Sequence, residues 1–176
     1  MTGTNSRQQS ASVIDLIANL PTLRGCLVSS IGHLEELLHE ALNQMFQGND
    51  DATRYVTAPL LEQQGPLADM TVKARLLVAL GRIESDVFED MEKLAKLRDL
   101  TVYSPEELTF SSPSVLDALG QLSHFDKSLL PLFEQRLAQA PDDDSLRGQY
   151  LETVNKSIRS ALALTIATLS QKISDD

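Results

Sequence analysis

Apolar residues recur along most of this chain at steps of three and four, the period of a helix that buries one face. Leu23, Leu27, Ile31, Leu34, Leu38, Ala41 and Met45 keep one such stripe and predict a long helix from Thr22 to Phe46. Leu146, Tyr150, Val154, Ile158, Leu162, Ile166, Leu169 and Ile173 keep another and predict a last long helix ending near Ile173. No segment alternates with the period of two that marks strands, and no internal repeat is visible. The pattern predicts an all-α fold, a single antiparallel helical bundle of about seven to eight helices with a long C-terminal helix.

Shorter elements fall between these two. A helix is expected over Val13 to Leu20 with Ser12 as its cap, and Pro21 either ends it or opens the next one at its first turn. Gly48, Asn49, Asp50 and Asp51 read as a turn and a cap. The next helix is expected over Asp51 to Gln63, with Tyr55, Val56 and Leu60 inward and a kink or restart at Pro59. Gly65-Pro66 then stops the chain, because proline cannot continue a helix. Asp69 is placed to cap a helix over Met70 to Gly81, whose Val72, Leu76, Ala79 and Ile83 keep helical spacing. Ser85 to Leu100 follows, with Val87, Phe88, Met91, Leu94 and Ala95 on its apolar face, and Thr101 to Phe110 reads as irregular. Pro113 opens a short helix through Leu119, and Leu129 to Leu137 is another. Pro141 breaks the chain again. Asp142, Asp143 and Asp144 stand where the dipole of the last helix favours negative charge.

Composition narrows the function. The chain has 176 residues, 42% of them hydrophobic, enough for one domain with a core over residues 12–176 behind a polar, mobile tail at 1–11. The net charge is −10, from 25 acidic and 15 basic residues. That balance disfavours a large nucleic-acid surface, which needs Lys and Arg against phosphates, and disfavours anionic membranes. It favours basic partners. One cysteine, Cys26, excludes an intramolecular disulfide, and the polar start lacks a signal-peptide core, so a cytoplasmic setting is expected.

The candidate chemistry is sparse. The pair of helices around Gly81 is the best helix-turn-helix candidate, but the second carries Glu84, Asp86, Glu89, Asp90 and Glu92 before its first base, Lys93. Carboxylates there repel phosphates, so this segment reads as an acidic face for a basic protein. Asp69, Arg75, Arg98 and Tyr103 form a candidate structural or anion-binding notch, the two guanidiniums needing partners such as Asp69, Asp90 or Asp99. If Arg98 were in a buried pair, Arg98→Ala would cost roughly 3 kcal/mol. Glu36 and His39 have the spacing of a di-iron ligand pair, but no second copy exists, so His33 and His39 read as surface histidines and no metal is expected. Cys26 reads as a packed thiol. No nucleophile elbow, P-loop or dinucleotide fingerprint is present, so neither an enzyme nor a cofactor is expected. The last helix leaves Leu151, Ala161 and Leu164 off its stripe, which places it deep in the bundle or against a second copy in a homodimer.

Pro59-Leu60-Leu61, Gly65-Pro66-Leu67 with Asp69, Arg75, Leu80-Gly81 with Ile83, and Leu97-Arg98 together resemble the signature of the mannitol operon repressor family. The resemblance runs from about Glu36 to about Leu119, with a weaker match in the last helix. It implies a transcription regulator of mannitol uptake and breakdown. With no basic reading helix, such a regulator is expected to act through a protein partner, a phosphotransferase component or a separate DNA-binding regulator. The alternative is a sensor of a sugar phosphate or other anion at Arg75 and Arg98. Residues Arg98 to Tyr103 are also similar to the Arg-x4-His element of HEPN-type helical domains, some of which cleave RNA. Tyr103 stands where the histidine would be, and a phenol with a pKa near ~10 is a poor general base.

Overall fold

The computed structural model describes residues 13–46, 51–62 and 64–174, with only the backbone for 51–54. The tail expected over 1–11, the cap at Ser12 and the turn at 48–50 lie outside the described residues. Helical residues 13–18 (α1) lead to α2, Leu23–Phe46, then α3, Asp51–Leu61, α4, Met70–Ala79, and α5, Ser85–Tyr103. After an irregular stretch come α6, Pro113–Gly120, a 3-10 turn, Lys127–Leu129, α7, Leu130–Ala138, and the long α8, Asp144–Ser174. Among the described residues there is no strand. Helix α2 lies at the centre and packs against α3, α4, α5 and α8, while α6 rests on α5 and α7 on α8.

Leu23, Leu27, Ile31, Leu34, Leu38 and Leu42 of α2 form the spine of the core, all buried. Met45, expected on that stripe, is exposed, and Leu42 takes the inward position instead. The inner half of α8 is buried nearly all round, from Ala161 through Ser170 with exposure only at Leu164 and Thr168. Thr165 and Ser170 survive there because each hydroxyl donates to a carbonyl one turn back, Ala161 and Ile166, at 3.0 and 2.8 Å. Leu146 is exposed, because the first turns of α8 project into solvent, with 142–149 exposed throughout. Asp143 caps that end, accepting from the N–H groups of Ser145 and Leu146 at 3.0 and 3.1 Å.

Helix α3 reverses the expected phase. Tyr55 and Val56 are 84% and 68% exposed, and Leu61 is the buried residue. The helix packs on α2, so one narrow line of side chains suffices, and that line passes through Leu61. Helix α5 runs three residues past Leu100. It stops where Pro105 forces Ser104 into extended backbone, φ −64° and ψ 133°.

The Gly65-Pro66 break is sterically determined. The Leu67 N–H donates to Leu60 O at 2.9 Å, folding the chain back over the end of α3. A Cβ on Gly65 would lie 2.3 Å from Pro59 O and 2.5 Å from Leu60 O, so only glycine fits. Asp69 then caps α4, its Oδ1 accepting from Val72 N at 3.1 Å. At the other end Gly81 has φ +70°, with its own N–H on Val78 O and that of Arg82 on Leu77 O. This left-handed cap closes α4 and aims the chain into α5.

Gly65→Ala is expected to lower stability by about 2 kcal/mol, since backbone has to shift to admit the methyl. Gly148→Ala in exposed α8, where a Cβ meets nothing within 4 Å, should instead stabilise by ~0.5–1 kcal/mol. Equal effects in thermal or urea unfolding would contradict the crowding at Gly65.

Candidate functional site

The acidic segment opening α5 is the first place to look for a binding face, and most of its charge is balanced within the chain. Glu84 pairs with Lys172 of α8. Glu89 lies 4.0 Å from Lys93, and Glu92 lies 3.5 Å from Arg75 of α4. Asp86 Oδ2 faces His124 Nε2 at 3.6 Å. Asp90 differs from the rest because it is fully buried, so it is no part of an exposed face. It was expected on the surface because its sequence neighbours are acidic, but it shares the inward side of α5 with Val87, Met91 and Leu94.

Asp90 is a structural anchor. One oxygen accepts from Ser123 N at 2.8 Å, and the other accepts from His124 N and the His124 ring Nδ1, both at 2.9 Å. Lys93 Nζ stands 3.6 Å away. The connection after α6 is thereby fastened to the second turn of α5. Burial alone would raise this carboxyl's pKa. The two backbone N–H groups and the His124 ring outweigh that and hold it below its usual 3.8.

Three of the four residues of the expected notch have partners outside it. Asp69 is engaged as the α4 cap. Arg75 is 67% exposed, paired with Glu92 and lying over the Phe88 ring at 5.6 Å from its centroid. Arg98 binds the neighbouring Asp99 through Nε and Nη2 at 3.0 and 2.8 Å. Tyr103 is 83% exposed at the end of α5. Because the Arg98–Asp99 pair is partly exposed, losing it costs at most ~1 kcal/mol, against the roughly 3 kcal/mol of a buried pair. Each guanidinium already has its own carboxylate, which offsets the positive charge an anion would need.

Cys26 is buried, its thiol near the Ile17 and Leu20 carbonyls at 3.6 Å each. Burial pushes its pKa up to about 11 against the opposing field of Arg159, so it is a packed thiol. No group of three or more His, Cys, Asp or Glu among the described residues is arranged to hold a metal ion. No helix among them is long and apolar enough to cross a membrane.

A further acidic stripe lies on α2, where sequence reading weighed a Glu36–His39 ligand spacing and settled on surface histidines. Gly32, Glu35, Glu36, His39 and Glu40 recur at helical steps opposite the leucine spine. With Lys73 of α4 they line an open cleft of about 430 Å³. Lys73 is 5% exposed and pairs with Glu35 at 3.5 Å. The signal was present as a polar stripe around Gly32, but the partner from α4 is visible only once the helices are packed.

Residues 9–174 match the sequence profile of the family described as Mannitol repressor. The chain belongs to the mannitol repressor family. A mannitol operon repressor of Escherichia coli strain K12 is 32% identical over 155 residues, which span 87% of this chain and 76% of that protein. The fold is similar to that in the structure of the MtlR–HPr complex from Escherichia coli, with a TM-score of 0.79 and 27% identity over 94% of this chain and 98% of that one. Fumarase E of Escherichia coli strain K12 is 23% identical over 137 residues, 77% of this chain and 79% of that protein. Several residues that carry the family resemblance have structural roles, the close approach at Gly65, the cap at Asp69 and the left-handed turn at Gly81.

Asp90→Asn is expected to destabilise the protein by about 3 kcal/mol at neutral pH, because an amide cannot accept all three donors. The folded-state pKa is depressed. The charge's contribution is therefore complete above the usual value and is lost as pH falls through the depressed one. Below about pH 4 the wild type should lose stability more steeply than the variant. Parallel acid limbs in urea-unfolding midpoints measured against pH would contradict the assignment.

Proposed function

We propose that this chain represses genes of mannitol uptake and breakdown by contact with a protein partner of the HPr kind, a phosphotransferase protein, and does not read operator DNA itself. The observation that carries this reading is the MtlR–HPr complex, a relative that matches over nearly its whole length. The charge pattern agrees with it. A net charge of −10 and a second helix whose leading half is carboxylate-rich supply no surface for phosphates. Protein–protein recognition has no such requirement, and electrostatic complementarity serves it well.

We infer as well that the chain is not an enzyme. The arrangement nearest to acid–base chemistry is Asp86, His124 and Asp90, and both ring nitrogens of His124 face carboxylates of the chain itself. A general base needs a nitrogen open to a substrate proton, and here Nδ1 is held by Asp90 while Nε2 faces the Asp86 carboxylate at 3.6 Å. The setting is cytoplasmic on this reading, since phosphotransferase partners and operon control are intracellular.

Isothermal titration with purified Escherichia coli HPr should show saturable 1:1 binding. Fluorescence anisotropy with duplex from a mannitol operon control region should show weak, salt-sensitive binding no different from that to a scrambled duplex. Tight, salt-resistant preference for the operon duplex in the absence of HPr would overturn the reading. Incubated with fumarate at millimolar concentration, the purified protein should leave its ultraviolet absorbance unchanged, and steady loss above a boiled control would contradict the non-enzyme assignment.

A further inference from the structure

We infer that α1 is a strap that opens while the rest of the bundle stays folded, that Arg159 of α8 is the latch holding it shut, and that its opening is what uncovers Cys26. This device is independent of the function proposed above.

The latch joins parts of the chain 139 positions apart. Arg159 Nη1 donates to Leu20 O at 2.6 Å in a part-buried setting. A guanidinium on a carbonyl makes a charge-assisted bond, stronger than a neutral one. Leu20 follows α1 directly, and its own N–H donates to Ile17 O at 3.1 Å. Holding the Leu20 carbonyl therefore holds the end of α1. That carbonyl and the one of Ile17 each stand 3.6 Å from Cys26 Sγ. A thiol is a weak donor with one hydrogen for the two acceptors, so these contacts add little hold. They do show what α1 covers. Cys26 has 0% accessible surface, and backbone from the end of α1 forms part of the cover over its sulfur.

The rest of the hold is apolar and local. Val13 and Ile17, one turn apart on α1, are buried, while Leu16 between them is 49% exposed. Turns of helix depend for their stability on such packing more than on propensity. Lifting α1 takes these side chains out of the core. It leaves the spine of α2, from Leu27 to Leu42, packed among α4, α5 and α8. An opening that breaks few buried contacts costs less than unfolding and occurs as a unit of its own. The latch has somewhere to go as well. Arg159 lines a cavity of about 180 Å³ with Pro21, Thr22, Phe110 and Asn155, which gives the guanidinium room to swing aside. With α1 shut, burial holds the thiol's pKa up at about 11, so little thiolate forms at neutral pH. Opening gives both access and solvation, and the chain has one cysteine, so its reactivity reports on the strap.

The test is the rate at which dithionitrobenzoate labels Cys26 in the full chain, measured without urea and across a urea series, where the rate is proportional to reagent. In the wild type the rate should respond to urea far less than global unfolding does, because little surface is exposed in the opening. Arg159→Met keeps the apolar stem and removes the bond, and should raise the rate without urea at least about tenfold. Asp90→Asn weakens a part of the bundle that stays folded when α1 lifts, so its rate should remain within about twofold of wild type. Labelling through global unfolding would instead raise the Asp90→Asn rate more than about a hundredfold, the factor its predicted loss of stability corresponds to, and that result would overturn the strap. A wild-type rate with the full urea dependence of unfolding would do the same, and decides alone if Asp90→Asn does not fold. An Arg159→Met rate equal to wild type would remove Arg159 as the latch and overturn the proposal on that side.

Discussion

The need to pack one helix against four others governs the rest of the molecule. Helix α2 meets α3, α4, α5 and α8. At 3.6 residues per turn, a helix with that many neighbours keeps only a narrow stripe for solvent. Its inward positions must be apolar and close-packed, which is why Leu23, Leu27, Leu34, Leu38 and Leu42 leave almost no accessible surface. Part of what is left on the outer side lines the cleft, Gly32, Glu35, Glu36, His39 and Glu40. Core and candidate surface are therefore two readings of one periodicity, and displacing either displaces the other.

Asp90 shows how a charge buried in such a bundle becomes an anchor. Removing a carboxylate from water is costly unless it is paired and hydrogen-bonded. Here two backbone N–H groups and one imidazole meet it, and all come from residues 123 and 124. The connection between α6 and α7 is held from two sides, by Leu122 and Phe125 buried in the core and by the hydrogen bonds that Ser123 and His124 give the carboxylate. The same event takes Asp90 out of the acidic face that the sequence places it in.

Long periodic helices were legible in the sequence because each repeats its signal many times. The ends of α2, α6 and α8 were read to within one or two residues, since Pro113, Asp143 and the terminal stripe residues act locally. Tyr55, Val56, Met45 and Leu146 were read inward and lie outward. Their spacing is right for a helix, but which face is buried depends on neighbours that spacing does not name. The Gly65 break and the Asp69 cap were legible for the same local reason. Most of the candidate surface was not. An acidic side chain looks alike on paper whether Lys172, Arg75 or nothing lies across from it, and those cations are 88 and 17 positions from their carboxylates.

That difference between total and uncompensated charge bears on how a repressor with a net charge of −10 could work. Exposed ion pairs contribute ~1 kcal/mol or less each, but they cancel field. The α5 segment is rich in acid and presents little of it to a partner. A partner responds to the field that remains, screened within about 8 Å at physiological salt. On α2, Glu35, Glu36 and Glu40 stand beside a concave surface shared with Lys73. A duplex gains from many phosphate contacts spread along its length, and an acidic chain whose helix α5 opens on carboxylates offers no such row of cations.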